Sequence, residues 1–365
     1  MRVLGIDPGT VSFDVCGLDD GQVFLDLQVA SPDLSEDPSP LIEALTACGP
    51  VDLIVGPSGY GLPLVRGDRV GEQELALIVL VRADDPTAGR GGILGLRRIV
   101  RTLIATGRPV VFVPGVIHLP TVPVYRKANR IDMGTADKVC SAALGIYDQA
   151  RRYGIPYTET SFILLEIGGA FTAALAVEGG RIVDGLGGTS GPLGLRGVGA
   201  MDGEVAYLIG GALSKGTLFS GGAMDMAGAG PGTDVETWPD DPRYRPAWLA
   251  WIEGAVKAIR ALTAVLPRPR EILLSGRMGA LGRVLAEMAD RLSDVAPVRR
   301  VEGLVRPDGT PVRAKEAAQG AALLADGLAG GPFVSLVEAM ELRRASGTVL
   351  DYLYLRGAEM IRLGS

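Results

Sequence analysis

The chain has 365 residues, of which 47% are hydrophobic and 21% are charged, and its formal net charge is −6. This composition is typical of a globular protein, and the length is sufficient for two domains. Aromatic residues account for 5% of the chain and no basic stripe is present, which disfavours nucleic-acid binding. The single histidine and three scattered cysteines, which form no CxxC pair, argue against His-rich metal sites, zinc knuckles and iron–sulfur centres.

The chain carries no sequence signal for export or for membrane insertion. An apolar strand begins at Val3, so the basic start and longer apolar segment of a signal peptide are not expected. The most apolar run, at residues 75–81, is too short to cross a bilayer. We therefore expect a cytoplasmic protein with reduced thiols and no membrane partner.

The first half of the chain predicts three antiparallel strands followed by helices and strands in alternation. Its apolar runs are separated by DPGT (residues 7–10) and DDG (residues 19–21), two sequences that favour tight turns. A helix then begins after Thr135, a good N-cap residue, and ends before Gly154. The elements between these points are a helix at 38–48, a buried strand at 51–56, a helix at 93–106 and a strand at 109–113.

The same order of elements begins again at residue 161. The strand SFILLEI (residues 161–167) leads into the Gly-rich sequence GGAFT (residues 168–172), and EGG (residues 178–180) separates two further strands. The later elements are a helix face at 252–262, a strand at 271–275, the turn GRMG at 276–279 and a small-residue helix at 314–328. The duplication predicts an α/β fold with domains at residues 1–153 and 154–332, and a helical segment, 333–365, that packs back on the first domain.

The first turn has groups that suit a phosphate and a metal ion. Gly9 and Thr10 offer backbone N–H groups and a hydroxyl to phosphate oxygens. The neighbouring Asp7 is a suitable carboxylate for Mg²⁺ and its waters. Alternatively, Asp7 caps its own turn and the stretch is only a connection between strands.

Five motifs, taken in order, resemble those of the acetate and sugar kinase, heat-shock and actin superfamily of ATPases. The resemblance spans most of the chain and implies a duplicated ribonuclease-H-like fold, in which two domains close over ATP. The motifs are GIDPGT (5–10) and EIGGAFT (166–172) for phosphate, LSGRMG (274–279) for adenosine, and DMGTADK (132–138) and KEAAQGAA (315–322) for the two connecting helices.

Within this superfamily the chain resembles the family of predicted butyrate kinases. The segment GGTSGPLGLRGVGAMDGEV (187–205) is similar to the acetate and butyrate kinase segment between the second phosphate and adenosine motifs. The chain departs from acetate-type kinases where Met133 and Asp137-Lys138 replace histidines, and where residues 113–118 lack a catalytic aspartate. The asparagine of their first phosphate motif is also missing. These departures imply rearranged catalysis or an acceptor that is not a simple fatty acid.

The resemblance implies a set of residues that bind ATP and Mg²⁺. Asp7 and Glu166 would face the metal, although Glu166 could instead be a hydrogen-bonded structural acid. Arg277 could alternatively be a solvated surface charge. The residues expected to border the nucleotide are Gly9, Thr10, Gly168, Gly169, Thr172, Ser275, Gly276, Arg277 and Gly279.

The residues expected to act in phosphoryl transfer are Asp7, Asp132, Arg66 and Arg196. Asp132 would lie near the γ-phosphate or orient the acceptor, unless it only begins a helix. Arg66 and Arg196 would neutralise an acceptor carboxylate or the transferring phosphoryl group, unless they are solvated loop residues.

The predicted function is an ATP-dependent kinase for a small-molecule acceptor, with a short-chain carboxylic acid as the best candidate. The first alternative is an ATP-hydrolysing switch without an acceptor, and the second is a non-catalytic binding protein. A nicotinamide dehydrogenase is disfavoured because no GxGxxG follows the first strand. The resemblance leaves both a homodimer and a monomer open, and residues 216–247 are expected to form a lid or an exposed insertion.

Overall fold

The structure of the protein, a computed structural model, describes residues 1–9, 12–30, 37–56, 59–85, 92–230 and 232–364. Within these ranges the chain forms two β-sheets with helices packed on their faces. No helix in the described ranges combines the length and the apolar character needed to cross a bilayer.

The first sheet has six strands in the order β3-β2-β1-β4-β6-β5. Its first three strands form an antiparallel meander, and β4 and β6 then extend it in parallel. The turn between the second and third strands places Asp20 and Gly21 at φ values of 43° and 78°, the backbone that two-residue hairpins favour. The strands are β1 Arg2–Pro8, β2 Ser12–Asp19, β3 Gln22–Ala30, β4 Leu53–Gly56, β5 Val65–Arg66 and β6 Val110–Phe112.

The second sheet repeats this plan with five strands in the order β11-β10-β7-β8-β9. It also begins with an antiparallel meander that two parallel strands extend. Gly179 and Gly180 again have positive φ values, 61° and 72°, in the hairpin turn. The strands are β7 Ser161–Ile167, β8 Thr172–Glu178, β9 Arg181–Leu186, β10 Glu271–Ser275 and β11 Val298–Arg300.

The helices include two that join the halves of the molecule. The longer of these begins at Ala136, after Thr135 as predicted, and ends before Gly154, whose φ of 62° suits glycine. The helices are α1 Ser39–Ala47, α2 Glu72–Val79, α3 Gly92–Ala105, α4 Val124–Lys127, α5 Ala136–Tyr153, α6 Gly203–Ile209, α7 Lys215–Leu218, α8 Ala223–Ala227, α9 Arg245–Leu262, α10 Gly282–Arg291, α11 Glu316–Ala329 and α12 Val334–Ala339.

Helices α5 and α11 interlock the two halves through glycine contacts. A Cβ atom on Gly5 in β1 would lie 2.1 Å from the backbone nitrogen of Ala322 in α11. One on Gly320 in α11 would lie 1.8 Å from the carbonyl oxygen of Cys140 in α5. On the far side, Gly145 of α5 approaches the ring of Phe162 in β7. Each connecting helix therefore packs against the sheet of the other half, across the predicted boundary at residues 153 and 154.

Three apolar cores stabilise this arrangement. The central core joins side chains of both sheets to α5 and α11. A second core covers the outer face of the first sheet. The third covers the outer face of the second sheet and includes the fully buried indoles of Trp238, Trp248 and Trp251. The shared central core explains why the halves form one body through their connecting helices.

The C-terminal segment contacts the first half but is less helical than predicted. Only the six residues of α12 form an α-helix, and short 3₁₀ turns at Leu342–Arg344 and Ala358–Met360 follow. Asn129 donates its backbone N–H to the carbonyl oxygen of Tyr352 at 2.8 Å. Further along, the backbone N–H of Gly364 donates to the carbonyl oxygen of Val81 at 2.8 Å. Backbone pairing with the first half thus replaces an amphipathic helix.

Candidate functional site

The first side of the candidate site is a group of charges at the end of β1. Asp7 is 6% exposed and lies opposite Asp14 of β2 in the antiparallel pair. The ammonium of Lys315, which precedes α11, lies 3.2 Å from the Oδ2 atom of Asp14 and 3.7 Å from that of Asp7. The same Nζ donates to the carbonyl oxygen of Ser12 at 2.8 Å. One lysine thus serves two buried carboxylates.

Asp7 is difficult to ionise in this position. Burial raises its pKa to about 7, and the negative charges of Asp137 and Asp14 act in the same direction. The ammonium groups of Lys315 and Lys138 oppose this rise. An added cation would favour the ionised form of Asp7, which is the behaviour expected of a carboxylate that meets a metal ion.

The second side of the site is built around Lys138 in the first turn of α5. Its Nζ lies 2.5 Å from the Oδ2 atom of Asp137 and also contacts the carboxylate of Glu166 near the end of β7. Burial raises the pKa of Glu166 despite this lysine. Burial also opposes ionisation of Asp137, but Lys138 and the hydroxyl of Thr135 hold the pKa of Asp137 below its ordinary value.

The two sides form one electrostatic unit because the Asp7 carboxylate is influenced by the charges of Asp137 and Lys138. We refer to this unit as the carboxylate–lysine cluster. It lies at the ends of β1 and β7, where Lys138 of the first half contacts Glu166 of the second half. Its members are Asp7, Asp14, Asp137, Lys138, Glu166 and Lys315.

Glycines allow the backbone to approach this cluster closely. A Cβ atom on Gly9 would lie 1.9 Å from the Nζ atom of Lys315, so a side chain there would displace the ammonium. Gly168 and Gly169 lie in the turn between β7 and β8, and a Cβ on Gly168 would be 3.4 Å from a carboxylate oxygen of Glu166. Gly276 has a φ of 81°, and a Cβ there would meet the same carboxylate at 2.9 Å.

The predicted adenosine turn lies directly beside the predicted second phosphate turn. Ser275, the last residue of β10, pairs with Glu166 of β7 in the parallel register. Its hydroxyl is fully buried, and no described residue hydrogen-bonds to it. Arg277 is exposed, which fits the alternative of a solvated surface charge, and Gly279 is buried; both lie in the turn that leads to α10. The structure therefore brings together the glycines of two motifs separated by more than a hundred residues.

The structure does not place two of the predicted phosphate ligands, Thr172 and Thr10, at the cluster. Thr172 is fully buried, and its hydroxyl accepts a hydrogen bond from the indole nitrogen of Trp251 at 3.3 Å. It therefore stabilises the core of the second half, and this placement does not support contact with phosphate. Thr10 lies outside the described residues.

Asp132 is buried in a network of hydrogen bonds. Its Oδ1 atom accepts from the backbone N–H of Gly134 at 3.1 Å. Its Oδ2 atom accepts from the backbone and the hydroxyl of Thr189, at 2.9 and 3.0 Å. A Cβ atom on Gly187 would lie 1.8 Å from Oδ1, so glycine is required beside this carboxylate. Asp132 thus joins the segment before α5 to the loop after β9, and it is more than a helix-start residue.

The two predicted acceptor arginines lie at the surface. Arg66 has 73% of its side chain exposed and contacts Asp68, also exposed, at 3.3 Å. Arg196 is exposed, and its backbone N–H donates to the carbonyl oxygen of Ala170 at 3.0 Å. This placement fits the alternative that both are solvated loop residues, and neither arginine is part of the carboxylate–lysine cluster.

Four members of the cluster, Asp14, Asp137, Lys138 and Lys315, were not predicted as site residues from the sequence. Asp14 stands inside the otherwise apolar strand SFDVCGLD, and a charge at such a buried position is a usable signal. Lys138 and Lys315 stand at the ends of the two connecting-helix motifs, where their ammonium groups meet the strands. The positions of these two lysines in the motifs therefore indicated their place in the site better than their residue type did.

Few side chains of the cluster are suitable as Mg²⁺ ligands. The described residues contain no group of three or more His, Cys, Asp or Glu side chains arranged to hold a metal ion. In phosphoryl-transfer sites, Mg²⁺ commonly uses one or two carboxylates together with phosphate oxygens and water. Asp7, which an added cation would help to ionise, fits that role. Glu166 fits it less directly because it already pairs with Lys138.

The chain matches the family model of a protein of unknown function (DUF1464) over residues 5–355. The chain belongs to this family. No curated protein matches it.

Three solved structures are similar to this DUF1464 protein. A propionate kinase from Francisella tularensis subsp. tularensis SCHU S4 has a TM-score of 0.60 at 13% identity, covering 88% of this chain and 98% of that one. An acetate kinase from Porphyromonas gingivalis has a TM-score of 0.55 at 14% identity, with the same coverage. The acetate kinase from Entamoeba histolytica has a TM-score of 0.55 at 11% identity, covering 80% of this chain and 87% of that one.

The DUF1464 protein has the duplicated, actin-like ATPase fold of acetate kinases. The predicted fold class is therefore confirmed, and its two sheets have matching strand orders. At these identities the likeness concerns the fold alone. The roles of the individual site residues remain predictions.

Proposed function

We propose that the protein is an ATP-dependent phosphotransferase whose acceptor is a short-chain carboxylic acid, as in butyrate or acetate kinases. The observation that supports this most is the carboxylate–lysine cluster at the ends of β1 and β7. Phosphoryl transfer depends on positioning and on neutralising charge, and this cluster supplies ammonium groups together with a metal-competent carboxylate. The fold shared with a propionate kinase and two acetate kinases supports the same class of reaction.

The proposed reaction needs no proton transfer. A carboxylate oxygen of the acid attacks the γ-phosphorus, and the bond to the β,γ-bridging oxygen breaks with its electron pair leaving on ADP. The products are an acyl phosphate and ADP, so the total charge is conserved. Because a carboxylate is already ionised at neutral pH, the chain needs no catalytic base at residues 113–118.

The chain's own residues divide the remaining tasks. Gly9, Gly168 and Gly276 keep the backbone clear so that phosphate oxygens can approach the turns. Lys138 and Lys315 place positive charge beside the site of transfer. When bound at Asp7, Mg²⁺ would neutralise charge on the phosphates. These groups act mainly by electrostatic stabilisation, and none has to form a covalent bond.

The experiment that tests the proposal is a calorimetric titration of ATP, with Mg²⁺ present, into three proteins. These are the wild type, Asp7→Asn and Asp294→Asn. Asp294 is a matched control because it is 65% exposed and pairs with Arg260 away from the cluster. We expect Asp7→Asn to weaken binding about tenfold or more, since it removes a charged ligand, and Asp294→Asn to leave it unchanged.

A second step of the experiment identifies the reaction. ADP release is followed with acetate, propionate or butyrate, each at saturating MgATP. Release that one acid accelerates supports the kinase. Release at a slow rate that no acid changes would instead support an ATP-hydrolysing switch. If the wild type binds no nucleotide, the proposal is wrong and the turn after β1 is only a turn.

A further inference from the structure

A second cluster of polar side chains lies outside the carboxylate–lysine cluster, around Lys215 at the start of α7. The Nζ atom of Lys215 donates to the hydroxyl of Tyr60 at 3.1 Å and lies 4.2 Å from the centre of its ring. The lysine belongs to the long insertion of the second half, whereas Tyr60 follows β4 in the first half. The contact therefore spans the cleft between the two halves.

The cluster continues from Tyr60 to Asp132. The Tyr60 hydroxyl hydrogen-bonds to Thr189, and the Thr189 hydroxyl donates to Asp132 at 3.0 Å. Burial and the nearby Asp132 carboxylate raise the pKa of Tyr60, so its hydroxyl stays protonated. We call Tyr60, Asp132, Thr189 and Lys215 the Lys215 cluster.

The Lys215 ammonium forms no ion pair within the described residues, although the carboxylates of Asp132 and Asp85 are near enough to favour its charged form. Asp132 is already satisfied by three donors from Gly134 and Thr189. Asp85 uses a carboxylate oxygen to accept the backbone N–H of Lys215 at 2.7 Å, which fixes the start of α7. The Nζ atom, however, forms no ion pair with a carboxylate of the described residues, and its hydrogen-bond partner is the neutral Tyr60.

A half-buried ammonium that forms no ion pair with a described residue favours binding of an anion. Burial lowers the pKa of Lys215 to about 8, although Asp132 and Asp85 oppose this change. An anionic ligand at Nζ would restore the charge balance and would gain a charge-assisted hydrogen bond. The Tyr60 hydroxyl beside Nζ is neutral, so it adds no repulsion toward an anion.

The position of the cluster relates it to the proposed site of transfer. Asp132 begins the segment that leads through Thr135 and Asp137 to Lys138. The backbone N–H of Ala136 donates to the carbonyl oxygen of Gly59, beside Tyr60, at 3.2 Å. The segment from Asp132 to Lys138 therefore begins in the Lys215 cluster and ends in the carboxylate–lysine cluster.

We propose that Lys215 and Tyr60 bind the carboxylate of the acceptor acid, a role that the sequence had suggested for Arg66 and Arg196. The inference rests on the proposed function, because it assigns the acceptor subsite of that reaction. We expect the acceptor to carry one carboxylate, because the cluster offers one ammonium that forms no ion pair with a described residue. Tyr60 positions Lys215 through its ring and hydroxyl, and Asp132 positions Tyr60 through Thr189.

The test compares a charged ligand with a neutral one of the same shape. Butyrate and butyramide are titrated by calorimetry into the wild type, Lys215→Met and Lys257→Met, with and without MgADP. Lys257 is a matched control because it is 74% exposed on α9 and pairs with Glu253. We expect the wild type and Lys257→Met to bind butyrate at least about tenfold more tightly than butyramide, and Lys215→Met to lose this preference.

Two further measurements keep the inference separate from the proposed function. MgATP affinity of Lys215→Met should equal that of the wild type, and Lys215→Arg should retain part of the preference for the anion. A loss of MgATP affinity with the butyrate preference intact would overturn the inference and make Lys215 a phosphate ligand. An unchanged preference in Lys215→Met, or no butyrate binding to the wild type, would also overturn it. Failure of the wild type to bind ATP would overturn the proposed function instead.

Discussion

Lys315 reaches from the start of α11 to Asp14 in β2, with its Nζ atom 3.2 Å from the Oδ2 atom of the aspartate. Its backbone N–H also donates to the Oδ1 atom of Asp14 at 3.2 Å. Asp14 is fully buried and receives further hydrogen bonds from Ser12 and Gln28. The start of the second connecting helix is therefore fixed to the hairpin that also carries Asp7.

The first prediction concerns this attachment. Asp14→Asn should lower the free energy of unfolding by about 1–3 kcal/mol, because it removes the buried charge that faces Lys315. Asp19→Asn is the control, since its exposed pair with Arg2 should contribute less than about 1 kcal/mol. Urea unfolding of both variants measures the difference. Equal losses would show that the Asp14 contact contributes no more than a surface pair.

The second prediction concerns Lys138, which compensates two carboxylates at once. Lys138→Met should lower the free energy of unfolding by about 3–5 kcal/mol, because Asp137 and Glu166 would be left without their common cation. Adding Glu166→Gln to the same chain should recover part of this loss, since one uncompensated charge is removed. Thermal and urea unfolding of the single and double variants test this coupling. Additive losses in the double variant would contradict it.

The fold was predictable because its signals are local. The turns at Asp20-Gly21 and Gly179-Gly180 occur in apolar sequences of strand period, and both have the positive φ values that such hairpins need. The beginning of α5 after Thr135 was likewise predicted, although the Thr135 hydroxyl donates to Asp137 and makes no capping hydrogen bond with the helix backbone. The C-terminal segment was not, because its backbone pairs with residues such as Asn129, which are distant in sequence.

The site was predictable only in part, for the same reason. The strand-ending Asp7 and the glycines of the turns are visible as local patterns. The contact of Lys315 with Asp14 joins residues 301 positions apart, which periodicity cannot indicate. Thr172 has the residue type of a phosphate ligand, yet tertiary packing places its hydroxyl against Trp251. Long-range pairing therefore decides which polar residues of a motif face the cleft.

The third prediction concerns the close packing of α11 on β1. Gly5→Ala should lower the free energy of unfolding by about 3 kcal/mol, because its Cβ would lie 2.1 Å from the backbone nitrogen of Ala322. Gly203→Ala is the control, since a Cβ at that helical position meets no atom within 4 Å. Its effect should be neutral or slightly stabilising. A stable Gly5→Ala protein would mean that α11 can move away from β1 at little cost.

The last prediction follows from the pKa of Asp7, which burial raises from its ordinary value of 3.8 to about 7. Between these values the native state holds a proton that the unfolded chain has released, so this contribution to stability is complete below about pH 4 and is lost as the pH rises through about 7. The free energy of unfolding should therefore fall over this range more steeply in the wild type than in Asp7→Asn, which has no group to titrate. Urea unfolding at pH 4, 5.5, 7 and 8 measures both slopes. Equal slopes would mean that Asp7 is ionised throughout, paired with Lys315 at 3.7 Å.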